Sequence, residues 1–298
     1  MQIELDAFYD SMAGVVSPAT VVFYRCRLKS LGAFLGDIPL SDVTLNHLRT
    51  WRRWLSEREH KYQGTARAKP GRLSPWTVHQ YVRCCRRFFT WCVAEGLIDH
   101  SPAGRLEKPP LPRGVRRGIS PDARDSIIRV ANCARDLALL LVLADTACRL
   151  AGIAGMRVDD VDLPGRRVLV REKGRGGNQR ERFVFMSDRT AGALAAWLVE
   201  RGDAQTRKVW VSRDGHGLTG NGVYQLVRRA AKRAGVTNGW NPHNWRHGAI
   251  RGMLNAGAPI SAVAQIAGHS SVQVTGDIYG TFTDCELLAV HDRSSWIK

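Results

Sequence analysis

The chain has 298 residues, 44% of them hydrophobic, which is enough for real cores in one large or two medium domains. Its formal charge is +17 and its sequence pI near 10.2; the basic residues are spread over both halves instead of a tail, which favours a polyanionic partner over a merely solvated basic surface. Seven cysteines, an odd number with Cys84 and Cys85 adjacent and no CxxC pair, argue against a disulfide scaffold or a zinc ribbon; with no signal-peptide profile and no membrane-length apolar run, they predict a soluble intracellular protein.

The first segment reads as helices. Ser17-Pro18 is an N-cap followed by proline at the first helical position, and the amphipathic stretch it opens stops near Gly36. Thr44 caps LNHLRTWRRWLSERE, in which Arg49, Arg52 and Arg53 lie among Trp51, Trp54 and Leu55. A Gly, Lys and Arg-rich loop runs from His60 to Leu73. Ser74-Pro75 then opens the longest helix, with Gly96 as the residue beyond its end. Val78, Val82, Phe89 and Val93 keep the helical period there, while Arg83, Arg86 and Arg87 gather on other faces. A helix bundle with a basic side accounts for this; ordinary solvated arginines are the alternative for each residue.

From 104 to 119 the sequence is rich in Pro, Gly and Arg, including Arg116 and Arg117, and keeps neither period. It predicts an extended cationic linker between a helical domain at 1–103 and a second domain at 120–298. Ser120-Pro121 restarts helical structure, and DLALLLVLADTA at 136–147 predicts a buried helix. After Met156 the period changes: DVDL, RVLVRE and RERFVFM predict a three-strand antiparallel meander, with Lys173 and Arg175 in the glycine-rich loop between its last two strands. Ser187 and Thr219 precede two further helices, and DCELLAVHDRSSWIK ends the chain with a short amphipathic helix carrying Leu287, Leu288 and Val290. The fold class expected is mainly α with a small antiparallel sheet.

The stretch 241–279, NPHNWRHGAIRGMLNAGAPISAVAQIAGHSSVQVTGDIY, holds the densest chemistry. Pro242 suits a helix start, and residues three apart share a helical face, so His243 and Arg246 point the same way. Gly257 and Pro259 close that helix. A second short helix ends at Gly268 and delivers His269, and a third piece presents Tyr279 before Gly280. Upstream, Arg149 follows the buried helix, where a guanidinium can also serve that helix's last carbonyls. Taken singly, Lys173 is also an exposed hairpin lysine and Tyr279 a packed aromatic. His243 and His247 have a metal-ligand spacing, but Asn244 stands where HExxH has its glutamate and no third ligand is apparent; no P-loop pattern occurs either, so neither metal nor nucleotide is implied.

In the order Arg149, Lys173, His243 with Arg246, His269, Tyr279, the chain resembles the tyrosine recombinase (phage integrase) family. TACRLAGIAGM is similar to the family's first arginine box, NPHNWRH to its HxxR box with the frequent following histidine, His247, and AGHSSVQVTGDIYG to its GHSS…Y box. The resemblance implies a SAM-like helical core-binding domain followed by a mixed α/β catalytic domain, acting without cofactor on double-stranded DNA as a site-specific recombinase. It further implies a homo-tetramer on paired sites, working in the cytoplasm at the nucleoid, in a compact two-domain form without an added N-terminal arm-binding domain. By the same resemblance Arg149 and Arg246 fork onto the scissile phosphate, as planar bidentate donors can. His243 bonds the phosphate or accepts the phenol proton, His269 helps hold the transition state, Tyr279 is the nucleophile and Lys173 protonates the leaving 5′-oxygen. Arg52, Arg83, Arg86, Arg87, Arg116, Arg117 and Arg175 are the candidate DNA contacts. Three departures stand out: Gly152 replaces the acidic residue that often follows the first arginine by three and buttresses its box, AGH replaces the commoner LGH, and the loop after Lys173 is long and glycine-rich. A type IB topoisomerase and a non-catalytic DNA-binding architectural protein are the alternative readings.

Overall fold

The computed structural model describes residues 1–61, 69–111, 118–173, 179–269, 271–280, 287–288 and 291–292, and for Lys173, Gln179 and Asp277 the backbone alone. Arg116, Arg117, Arg175 and Val290 therefore lie outside the described residues. The chain divides into two compact units, Met1–Arg113 and Gly114–Lys298.

Unit 1 is built from helices. α1 (Gln2–Ser11) was not expected from the sequence: its N-cap, Met1, offers no side-chain cap, yet it buries Leu5, Phe8 and Tyr9. α2 (Pro18–Leu35) starts as predicted, with the Ser17 hydroxyl accepting from the Thr20 N–H. α3 (Leu45–Glu57) opens on a capping box in which Thr44 accepts from the His47 N–H and the Thr44 N–H donates to His47 Nδ1. The His60–Leu73 loop contains a two-residue ladder, β1 (His60–Lys61) with β2 (Lys69–Pro70). α4 (Pro75–Ala94) is the longest helix described and turns Val78, Val82, Phe88 and Phe89 into the core, while Val93 is exposed at its end. Phe8, Tyr24, Phe88 and Trp91 pack edge-to-face or tilted around this centre, the geometry that aromatic quadrupoles favour.

The start of the segment expected to be an extended cationic linker packs on unit 1. Leu106 is buried in the unit 1 core. Around it, Arg49 and Arg52 bond Glu107, and Arg86 donates to the Gly104 carbonyl.

Unit 2 begins with α5 (Pro121–Arg129), capped by Ser120, and the apolar α6 (Ala134–Asp145). Ala147 then takes a left-handed φ of 50°, a strained turn for a residue with a Cβ. It leads into the short α7 (Leu150–Gly155), which two glycines in six residues hid from a periodicity reading. The meander follows as β3 (Val161–Asp162), β4 (Arg167–Lys173) and β5 (Gln179–Phe185), antiparallel in that order. Lys173 closes β4 opposite Gln179 instead of lying in the loop, because the glycine-rich run starts one residue later. α8 (Asp188–Arg201) and α9 (Gly220–Arg233) complete the main core with α6.

α10 (Pro242–Asn255), α11 (Ile260–Ala267) and α12 (Val272–Tyr279) come last. Gly118 lies so close to α10 that a Cβ there would sit 2.1 Å from the Gly248 nitrogen, and the Ile119 N–H donates to the Asn244 carbonyl. The start of the unit is thereby fastened along the helix that carries His243 and Arg246. Among the described residues no helix is long and apolar enough to cross a membrane.

Candidate active site

α10 sets the first three groups. Asn241 caps it, accepting from the Asn244 N–H, and Pro242 occupies its first turn. Arg246 and His247 are buried, 3% and 4% exposed. Arg246 Nη1 donates to the Ala147 carbonyl at 2.6 Å, which the left-handed turn after α6 presents to it. Its Nη2 is buried with no partner among the described residues. A buried charged donor in that position has room for one more acceptor. Burial, with Arg149 and Arg182 nearby, brings the Arg246 pKa down to about 10, so the group stays cationic at neutral pH.

Arg149 caps α7 and does not serve the last carbonyls of α6. Its Nη1 donates to Glu172 Oε2 at 2.6 Å, its backbone N–H to Glu172 Oε1 at 3.0 Å, and its Nη2 to the Gly268 carbonyl at 3.4 Å. Arg182 of β5 donates to the Ile266 carbonyl and, at 3.4 Å, to Glu172. Two guanidiniums from different elements thus hold the C-terminal carbonyls of α11, favourable in hydrogen bonding and in dipole alike. Gly268 ends α11 in the left-handed region at φ 68° with Arg182 lying where a Cβ would be, 2.5 Å from Nε. That turn delivers His269.

His269 Nδ1 bonds the Thr275 hydroxyl at 2.7 Å, and its ring stacks on that of Tyr279 with 6.5 Å between centroids. Burial and the charges of Arg246, Arg149 and Arg182 depress its pKa to about 4, so the ring is neutral at physiological pH. Tyr279 is 1% exposed, packed with Ala147, Ile250, Val263 and Ala267, and its hydroxyl hydrogen-bonds His247 Nδ1. His243 is exposed, its ring 4.2 Å from that of His247. The histidine on the phenol is therefore His247; His243 stands one turn back, at the rim.

Arg149, Arg246, His269 and Tyr279 are brought together, His243 stands beside them, and the Lys173 backbone ends the strand that carries Glu172. Sequence reasoning missed Glu172 and Arg182. The signal was present: Val168, Val170 and Glu172 alternate on one face of β4, Arg182 and Val184 on one face of β5, so both charges fall on inward positions. In unit 1, Arg83 and Arg87 are exposed, while Arg52 and Arg86 are engaged with residues 104–107.

A helical unit thus precedes a mixed α/β unit in which arginines, histidines and a tyrosine from α7, α10, the turn after α11 and the end of α12 are brought together. Residues 119–284 match the model of the phage integrase family and residues 5–106 that of the phage integrase SAM-like domain. The chain is 30% identical to the tyrosine recombinase XerC of Corynebacterium efficiens, over 95% of this chain and 88% of that protein. It is 26% identical to the XerC of Oceanobacillus iheyensis, covering 99% and 96%. In fold it is similar to the Tn1549 transposon integrase in complex with transposon right end DNA, at a TM-score of 0.74 and 18% identity over 98% of this chain and 99% of that one. It is likewise similar to a lambda integrase dimer bound to a core site, at 0.71 and 17% over 92% and 96%. The chain belongs to the phage integrase family and is a tyrosine-type site-specific recombinase.

Proposed function

We propose that the protein cuts and rejoins double-stranded DNA at specific sites through a 3′-phosphotyrosine on Tyr279, exchanging strands between two duplexes. The observation that carries the proposal is the cationic cluster beside the phenol: among the described residues Arg149, Arg182 and the buried Arg246 face one carboxylate, Glu172, and Arg246 Nη2 has no acceptor. A phosphodiester offers such an acceptor and a negative charge. That its relatives include integrases solved on DNA agrees with this ligand.

In the proposed reaction Arg149 and Arg246 take the non-bridging oxygens and neutral His269 donates a further hydrogen bond, stabilising charge as it develops. The Tyr279 oxygen forms its bond to phosphorus as the bond to the 5′-oxygen breaks. The phenol proton passes to His247, which already meets the hydroxyl, and His243 bonds the phosphate from the rim. Lys173 gives a proton to the departing 5′-oxygen. A 5′-hydroxyl from the partner strand then reverses the steps, within a homo-tetramer on paired sites. Leu287 and Leu288, both exposed, are apolar groups suited to contacts between protomers in that assembly.

The test is a nicked suicide substrate, scored for covalent protein–DNA adduct and then, with intact sites, for recombinant junctions. The parent protein should form the adduct and Tyr279→Phe should not, while binding duplex normally. Adduct from Tyr279→Phe would sink the mechanism; relaxed plasmid without junctions would favour a topoisomerase.

A further inference from the structure

Glu172 lies deep in the cluster with both carboxylate oxygens occupied. Oε2 accepts from Arg149 Nη1, and Oε1 accepts from the Arg149 backbone N–H, from the Cys148 thiol at 3.4 Å and from Arg182. Burial would raise its pKa; Arg182 and both bonds from Arg149 outweigh burial and hold it below the usual carboxylate range. The carboxylate fills a particular space. A Cβ built on Gly152 would lie 3.0 Å from Glu172 Oε1, 3.2 Å from its Cγ and 2.6 Å from Cys148 Sγ. A side chain at 152 would meet Cys148 Sγ first and the Glu172 carboxylate next, so the glycine leaves both their room beside Arg149.

We infer that Glu172 is a positioning residue that aims Arg149 at the scissile phosphate from β4, doing from the sheet what α7 cannot do with a glycine at position 152. The inference rests on the recombinase reading for its catalytic consequence, although not for the contact itself. It has a further structural content. Arg149 begins α7 and Lys173 ends β4, and the side chain that joins these elements belongs to the residue directly before Lys173. One carboxylate therefore ties the placement of the phosphate-binding arginine to the strand that carries the proposed acid.

The first test needs no substrate. The Arg149 side chain is 45% exposed, yet its guanidinium should show hindered rotation in side-chain nitrogen–proton spectra of the DNA-free protein, with Arg149→Lys identifying the signals. A freely averaging guanidinium overturns the inference. The second measures single-turnover cleavage of the suicide substrate at saturating DNA. Glu172→Gln, nearly isosteric, should cleave about a hundredfold more slowly, the scale of a misaligned reacting geometry, with half-site affinity unchanged. Cleavage at the parent rate, or a loss fully explained by weaker binding, overturns it. Absence of any adduct from the parent protein would defeat the recombinase reading instead, leaving the spectroscopic measurement to decide whether Glu172 holds Arg149.

Discussion

Each unit holds a glutamate between two arginines, and the two arrangements behave as opposites. In unit 1, Glu107 lies between Arg49 and Arg52 with its side chain 56% exposed. In unit 2, Glu172 lies between Arg149 and Arg182 with its side chain 6% exposed. Two unit charges 4 Å apart attract by about 1 kcal/mol in bulk water and about 4 kcal/mol at the effective dielectric of a protein. The surface cluster can exchange its carboxylate for other anions at little cost. In unit 2 Arg246 adds a third guanidinium, so among the described residues one carboxylate faces three cations, and under the proposed reaction a phosphate would meet the surplus charge.

The largest expected effect separates the cations by their task. The buried guanidiniums must keep their protons, whereas the proposed acid must give one up, which lysine in a cationic site does more readily than arginine. Lys173→Ala should slow cleavage by about 10²–10⁴-fold, the usual range for general acid catalysis. The defect should largely vanish on a substrate with sulfur at the 5′-bridging position, because a thiolate leaves unprotonated. Persistence of the defect would transfer the role to His269 or Arg180. Arg246→Met should cost about 10²–10³-fold, as loss of a charge-stabilising donor does, with no rescue by sulfur. In the DNA-free protein the same substitution gives up the bond to the Ala147 carbonyl but relieves burial of the charge and its repulsion with Arg149 and Arg182, so the two should offset and Tm should change little. A clear drop in Tm would mean that Arg246 is a structural group first.

These contrasts explain what could be read in the sequence. Helix starts were legible because Ser17, Thr44, Ser74, Ser120, Ser187, Thr219 and Asn241 all cap through their own side chains, a local chemistry that needs no tertiary context. α1 and α7 lack a side-chain cap and escaped notice. Arg149, Arg246, His269 and Tyr279 were legible through family order. Their support was not, because Glu172 acts on Arg149 across 23 residues and Arg182 on Ile266 across 84. The relation of His247 to Tyr279 was hidden for the same reason: which of two histidines on one helix meets the phenol depends on how α12 packs.

A third, smaller effect concerns pH. His269 has its pKa depressed from 6.5 to about 4 in the folded protein. Between those values the unfolded chain binds the proton and the native one does not, so stability rises with pH across the window. The contribution is complete above 6.5 and is lost as pH falls toward about 4. Titration of the ring resonances should place the midpoint near the lower value. Added duplex should raise it, since a phosphate offsets the three arginines. A midpoint that does not move on binding would place the phosphate away from His269.

The smallest effect tests the exposed half of the comparison. Arg52 donates to both the carbonyl and the carboxylate of Glu107, yet Ala103 and Leu106 are buried beside them and Arg49 and Arg86 also hold the segment. Arg52→Ala should therefore leave thermal unfolding unchanged within error, as exposed ion pairs contribute little. Its consequence should appear in DNA binding. If Arg52 reaches a phosphate, its loss removes one counterion-release event, and the slope of log affinity against log salt should become shallower by about 0.9. The change should be equal on specific and random duplex, because a phosphate contact carries no sequence information. An unchanged slope would mean that Arg52 serves only to fasten Glu107, and the basic face of unit 1 would then rest on Arg83 and Arg87, which are exposed on α4.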